Sequence, residues 1–130
     1  LFSAGIGTTP MLSFLSELIE KGSQRPVTVV HADRSLDTWP LREELTELVN
    51  KLPNARLISF IEGEGGDFAG RVDVSKLDVP SDANVYLCGP LPFMQGVRSA
   101  LVEAGVPGKN INYEIFGPDQ WMLHDQAREA

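Results

Sequence analysis

The chain has 130 residues, of which 42% are hydrophobic, 22% charged and 8% aromatic, and its formal net charge is -7. That length suits one compact domain burying roughly two-thirds of its unfolded surface, and plentiful aliphatic residues with ordinary charge exclude a wholly disordered chain. Eleven basic against eighteen acidic residues argue against a nucleic-acid partner, and no apolar run approaches the ~20 residues a membrane-spanning helix requires. The single Cys88 excludes an intrachain disulfide and a cysteine-based zinc site, and suits a reducing, cytoplasmic setting. His31 and His124 are the only histidines, too little material for a metal centre.

The chain opens on Leu1-Phe2-Ser3-Ala4 and runs straight into a glycine loop, Gly5-Ile6-Gly7-Thr8-Thr9. These first residues read as the end of a β-strand whose beginning is missing, so a piece of a longer protein is expected. Pro10 stands where a helix begins, with Thr9 as its N-cap. Met11, Phe14, Leu15, Leu18 and Ile19 recur at helical spacing until Gly22 closes the segment. Val27 to Ala32 is a β-branched run that predicts a strand buried on both faces. Thr38, Pro40, Glu43 and Glu44 then signal a helix start, followed by the apolar stripe Leu41, Leu45, Leu48, Val49 and Leu52.

Arg56 to Ile61 predicts a third strand, followed by the acidic loop 62–67. Asp73 to Leu77 reads as one helical turn, and Val85 to Cys88 as a fourth buried strand ended by Gly89-Pro90. Pro92 to Ala104 predicts a third helix that turns Phe93, Met94, Val97, Leu101 and Val102 inward, with Gly105 as its stop. Ile111 to Phe116 is the last strand, and the tail from Gly117 reads as irregular. Alternating strands and helices at this spacing predict an α/β, Rossmann-like, three-layer domain. Its core is an open five-stranded parallel sheet with helices on both faces. Such sheets bind ligands at the carboxyl ends of their strands, so the loops 4–10, 32–38, 62–71 and 88–93 and the region after 116 form the candidate rim.

Four stretches on that rim carry chemistry. In Gly5-Ile6-Gly7-Thr8-Thr9-Pro10, glycine lets backbone approach a phosphate without a Cβ in the way. The free N–H groups of the helix start then favour a pyrophosphate, with the Thr8 and Thr9 hydroxyls as further donors. Pro10 replaces the third glycine of the usual dinucleotide fingerprint, and a tight turn that binds nothing is the alternative. On this reading Gly7→Val abolishes nucleotide binding without unfolding the domain. After the second strand, Asp33 could accept from the ribose hydroxyls of NAD, whereas Arg34 and Ser35 could hold the 2′-phosphate of NADP. A solvated turn is the third option there. Cys88-Gly89-Pro90 ends the fourth strand, where the turn leaves backbone free to meet a planar ring. Cys88 reads either as a small polarisable thiol at the site or as a buried hydrophobe. At the end of the last strand, Phe116 could stack on a flavin or nicotinamide ring and Glu114 could accept a proton, the alternative being a core aromatic and a surface carboxylate. Glu114 and Cys88 are thus the candidate catalytic groups.

Taken together, GIGTTP (5–10), YLCGPLPFM (86–94) and NYEIFGP (112–118) resemble the NAD(P)-binding domain of the ferredoxin–NADP⁺ reductase superfamily. The likeness is greatest to the carboxyl-terminal third of flavohemoglobins, the nitric oxide dioxygenases, and extends through WPLREEL (39–45) and FAGRVDVSKL (68–77). The resemblance implies a reductase domain over residues 1–118, with its first strand cut short, and a tail over 119–130. It implies that Gly5, Ile6, Gly7, Thr8, Thr9 and Pro10 hold the pyrophosphate of NAD(P)H, with Cys88, Gly89 and Pro90 lining the nicotinamide. Ile115, Phe116, Gly117 and Pro118 match the segment that touches FAD. Glu114 matches a carboxylate that tunes flavin and haem.

The implied partners are an FAD-binding barrel and an amino-terminal globin that holds haem, neither contained in this chain. In such proteins hydride passes from NAD(P)H to FAD, single electrons reach the haem, and nitric oxide becomes nitrate. Two other readings stay open: a reductase serving a ferredoxin or an oxygenase, and a nucleotide-binding module without redox work.

Overall fold

A computed structural model describes residues 1–114 of the chain. Six strands run in chain order as β1 (Phe2–Ala4), β2 (Val27–Asp33), β3 (Ala55–Ile61), β4 (Phe68–Ala69), β5 (Val85–Cys88) and β6 (Ile111–Glu114). Three α-helices separate them: α1 (Thr8–Glu20), α2 (Arg42–Lys51) and α3 (Leu91–Glu103). All neighbouring strands pair in parallel, and their order across the sheet is β4-β3-β2-β1-β5-β6. The fold is therefore the expected α/β architecture, with one strand more than the five anticipated. The extra strand is the two-residue β4, which pairs Phe68 with Phe60 and Ala69 with Ile61. A piece that short carries no periodicity of its own, so only its position beside β3 makes it a strand.

Side chains alternate across the sheet, and the parallel register lines them up in rows. Ile58, Val30, Phe2 and Leu87 share one row, and Phe60 and Ala32 another, all packed with Met94, Val97 and Leu101 of α3. Val29, Ile61 and Cys88 meet Met11 and Leu15 of α1 and Leu45 and Val49 of α2 on the opposite face. Two apolar clusters thus sandwich the sheet. Crossing the α1–α2 face is a row of smaller and polar residues, Ser59, His31, Ser3 and Cys88.

The helix stops follow from the glycines. Gly22 (φ 63°) lets Ser23 N–H bond the Leu18 carbonyl at 3.0 Å, and Gly105 (φ 105°) lets Val106 N–H bond Leu101 at 3.0 Å. Both are left-handed terminations that return the chain to the sheet. The start of α2 differs from expectation. Leu41 is its N-cap, adopts φ 57° and is 42% exposed, so it leaves the predicted stripe. Thr38 instead binds back to Asp33 and Ser35 and shapes the turn before the helix. On α3, Val102 is exposed while Phe93, Met94, Val97 and Leu101 face inward. Asp73 to Leu77 encloses the expected single turn, a 3₁₀ helix at Val74–Lys76 that Asp73 caps through the Ser75 N–H. No helix of the described residues is long and apolar enough to cross a membrane.

Candidate functional site at the switch point of the sheet

The chain leaves β1 for α1 on one side of the sheet and β5 for α3 on the other, so the β1–β5 boundary is the topological switch point. Two glycines close that boundary. A Cβ on Gly7 would stand 2.2 Å from the Cys88 carbonyl oxygen and 2.6 Å from its carbon. One on buried Gly89 would stand 3.3 Å from the Ala4 nitrogen and 3.0 Å from the Phe93 ring. The loops after β1 and β5 are therefore pressed together backbone to backbone, and only glycine permits the contact. Gly7 thus serves loop-to-loop packing, which corrects the expectation that Gly7→Val would spare the fold.

Gly5 occupies the turn differently. It has φ 54° and open space where a Cβ would be, and Ile6 beside it is 64% exposed. Gly5 to Gly7 form a short 3₁₀ turn whose carbonyls at Gly5 and Ile6 accept the Thr8 N–H. α1 then begins at Thr8, with Gly7 as its N-cap, rather than after a Thr9 cap. Pro10, in the first turn of α1, has no N–H to offer an anion. Thr8 is fully buried and its hydroxyl lies 3.1 Å from His31 Nδ1, so it points into the protein instead of toward a phosphate. Thr9 is exposed on the rim.

The turn after β2 is also internally bonded. Asp33 Oδ1 accepts from the Arg34 N–H at 2.9 Å and from the Thr38 hydroxyl. Its Oδ2 accepts from His31 Nε2 at 3.1 Å, and the side chain is 8% exposed. Much of the carboxylate's bonding capacity is thereby committed within the protein, leaving less for a ribose than the sequence suggests. The Ser35 hydroxyl accepts from the Thr38 N–H at 3.2 Å, while Arg34, tied through its backbone to Asp33 and Gly63, is exposed. Cys88 is 1% exposed and its side chain belongs to the α1–α2 cluster. It meets the rim through its carbonyl. Pro90, after Gly89, is the exposed residue that precedes α3.

Glu114 pairs with Cys88 in the register of β6 with β5, which brings its backbone to the same row. Ile115, Phe116, Gly117 and Pro118, as well as the tail 119–130, lie outside the described residues. Of the groups expected on the rim, the turn Gly5 to Thr9, the turn 33–35 and the turn Gly89-Pro90 do share the carboxyl ends of adjacent strands. A cavity of about 110 Å³ beside them, between Met11 and Phe14 of α1 and Tyr86 of β5, is smaller than the usual small-molecule pocket. A larger one of about 640 Å³ lies at the opposite end, bounded by Leu1, Pro26, Val27 and Asn84 at the amino ends of the strands. The larger of these two cavities is therefore remote from the candidate rim.

One cluster escaped sequence reasoning. His31 is fully buried, with Nδ1 2.7 Å from Ser3 Oγ and 3.1 Å from Thr8 Oγ1, and its ring stacks on Trp39 at 4.4 Å and 12°. A carboxylate only accepts, so Asp33 requires the proton on Nε2, and Nδ1 is left as the acceptor for the two hydroxyls. Burial pushes the His31 pKa below its ordinary value, against the pull of Asp33. The neutral imidazole is the form present at neutral pH. Ser3, His31 and Asp33 together have the members of a hydrolytic triad, but both ring contacts are reversed and no substrate reaches a fully buried serine. The available signal was alternation: His31 and Asp33 are two apart in a strand and so share a face. The Trp39 indole N–H is buried and has no hydrogen-bond partner among the described residues.

Comparison with known proteins agrees with this fold. The pattern of the oxidoreductase NAD-binding domain family matches residues 1–99. The flavohemoprotein of Bordetella pertussis is 39% identical over 128 residues, covering 90% of this chain and 32% of that protein. That of Rhizobium meliloti is 38% identical over 130 residues, covering 92% and 32%. Among solved structures, flavohemoglobin from Malassezia yamatoensis with bound FAD and heme superposes with a TM-score of 0.86 at 49% identity, over 89% of this chain and 30% of the other. The FAD/NAD-binding domain of nitric oxide dioxygenase from Vibrio cholerae gives 0.81 at 32% identity, over 90% and 50%. The chain spans about a third of the length of the curated relatives it matches. With its switch-point rim and a family match over most of its length, the chain belongs to the oxidoreductase NAD-binding domains of the ferredoxin–NADP⁺ reductase superfamily and is related to the flavohemoproteins.

Proposed function

We propose that this chain is the NAD(P)H-binding module of a flavin-dependent oxidoreductase of the nitric oxide dioxygenase type. The observation that carries this reading is the interlock of Gly7 with the Cys88 carbonyl, which joins two rim loops into one continuous platform at the switch point. Gly5, Ile6 and Thr9 offer open backbone and a hydroxyl to the pyrophosphate, the turn 33–35 faces the adenosine ribose, and Gly89-Pro90 borders the nicotinamide. The bound dinucleotide supplies a hydride for FAD on an adjoining domain, with haem in a globin beyond it. Everything this chain contributes is positional: it orients the nucleotide and holds one face of it away from water. Glu114 and Phe116 belong to the flavin-facing side of the same reading, as do Ile115, Gly117 and Pro118.

The test is calorimetric titration of the chain with NADH and NADPH. Saturable binding of either at one site supports the reading, and loss of that binding in a Gly5→Ala chain that stays folded, where the added methyl meets no neighbour and only the left-handed φ of 54° is penalised, ties it to the rim. A folded chain that binds neither dinucleotide overturns it.

A further inference from the structure

Ser3, Thr8 and His31 are three of the four buried polar or charged residues among those described, and Asp33 completes their hydrogen-bond chain. Their placement is specific. Thr8 is the first residue of α1, directly behind the Gly5–Gly7 turn, and Asp33 is the last residue of β2, where it bonds the Arg34 N–H and the Thr38 hydroxyl. One imidazole therefore touches the elements that lead into two separate rim turns. An apolar residue would fill the same buried strand position without requiring any partners, so the polar cluster is not explained by packing alone.

We propose that His31 is a positioning residue for the dinucleotide: through Nδ1 it sets the start of α1 behind the phosphate-facing turn, and through Nε2 it sets Asp33 and the ribose-facing turn. The inference rests on the function proposed above. With Nε2–H committed to Asp33, Nδ1 can only accept, and its single lone pair is shared between the Ser3 hydroxyl at 2.7 Å and the Thr8 hydroxyl at 3.1 Å. The stacked Trp39 ring keeps the imidazole plane from rotating out of this arrangement. The two rim turns are thereby linked through a rigid group rather than through solvent.

Two conservative variants separate the arms. The side-chain oxygen of His31→Asn can replace the Nδ1 acceptor, but its amide is too short to reach Asp33. The amide of His31→Gln can replace the Nε2 donor. Amide NMR spectra of the chain are expected to show shifts at Arg34 and Thr38 in His31→Asn, and at Gly5 to Thr9 in His31→Gln. NADH affinity is expected to fall roughly five- to tenfold in each, the effect of losing about one hydrogen bond. Where a variant fails to fold, the wild-type chain still decides the matter. Its His31 ring nitrogens are expected to report a protonated Nε2 and a bare Nδ1, and to shift when NADH saturates the chain. NADH affinity within twofold of wild type in both folded variants, or His31 nitrogens unmoved by saturating NADH, overturns the inference while leaving the proposed function standing. A wild-type chain that binds no NADH overturns both.

Discussion

Replacing Gly7 with alanine adds a single methyl group at the tightest point of the molecule. The new Cβ would meet the Cys88 oxygen at 2.2 Å and its carbonyl carbon at 2.6 Å, whereas ordinary contact begins near 3.4 Å. One backbone must yield by about 1 Å. Cys88 is held on both sides, by Ser3 of β1 and Glu114 of β6, so the sheet itself resists the movement. Overpacking costs typically about 1–3 kcal/mol, and the upper end applies because the obstacle is backbone rather than a flexible side chain. A loss of about 3 kcal/mol corresponds to a fall in Tm of roughly 10 °C for a domain of this size.

Gly5→Ala is the matched control. It meets nothing within 4 Å and carries only the left-handed penalty of φ 54°, about 1–2 kcal/mol. Denaturant unfolding followed by circular dichroism, with m-values compared to confirm two-state behaviour, measures both variants. Equal losses at the two positions, or a Gly7→Ala variant as stable as wild type, would refute the interlock of the two loops.

Leu41→Gly should raise stability by about 1 kcal/mol in the same unfolding assay, because it relieves φ 57° at a residue already 42% exposed; a loss above 1 kcal/mol would show that Leu41 packs usefully. Gly96→Ala lies inside α3 on its exposed side, with open space at the Cβ, and should stabilise by about 0.5–1 kcal/mol, a decrease counting against that placement. Leu15→Ala, at a fully buried position in the α1–α2 cluster, should cost about 2–5 kcal/mol, and a cost below 1 would mean the cluster is poorly packed. Burial lowers the His31 pKa below the ordinary histidine value of 6.5, so the unfolded chain binds this proton more readily than the folded one. Stability should therefore be fully present above pH 6.5 and fall below it, by at most about 1.4 kcal/mol per pH unit, until the folded pKa is passed. Comparing the unfolding of wild type and His31→Gln from pH 7.5 downward isolates this contribution, and parallel curves would contradict it.

Features governed by near neighbours in the chain were legible without coordinates. The helical spacing of Met11, Leu15, Leu45, Val49, Val97 and Leu101 located the inward faces, since a helix repeats over three to four residues wherever it packs. Gly22 and Gly105 marked the helix stops because a left-handed residue costs glycine little. The alternation of strands and helices implied a parallel sheet, and with it the end of the sheet that carries the rim.

The use each rim residue is put to depended on which strands became neighbours. Gly7 is constrained by Cys88, Thr8 and Asp33 by His31, and the pair Phe68–Ala69 is a strand only because β3 lies beside it. Local patterns identify residues able to bend, cap or donate. Which of those capacities is used is settled by contacts between distant segments, whose strength depends on ångström-scale separations that no spacing along the chain encodes.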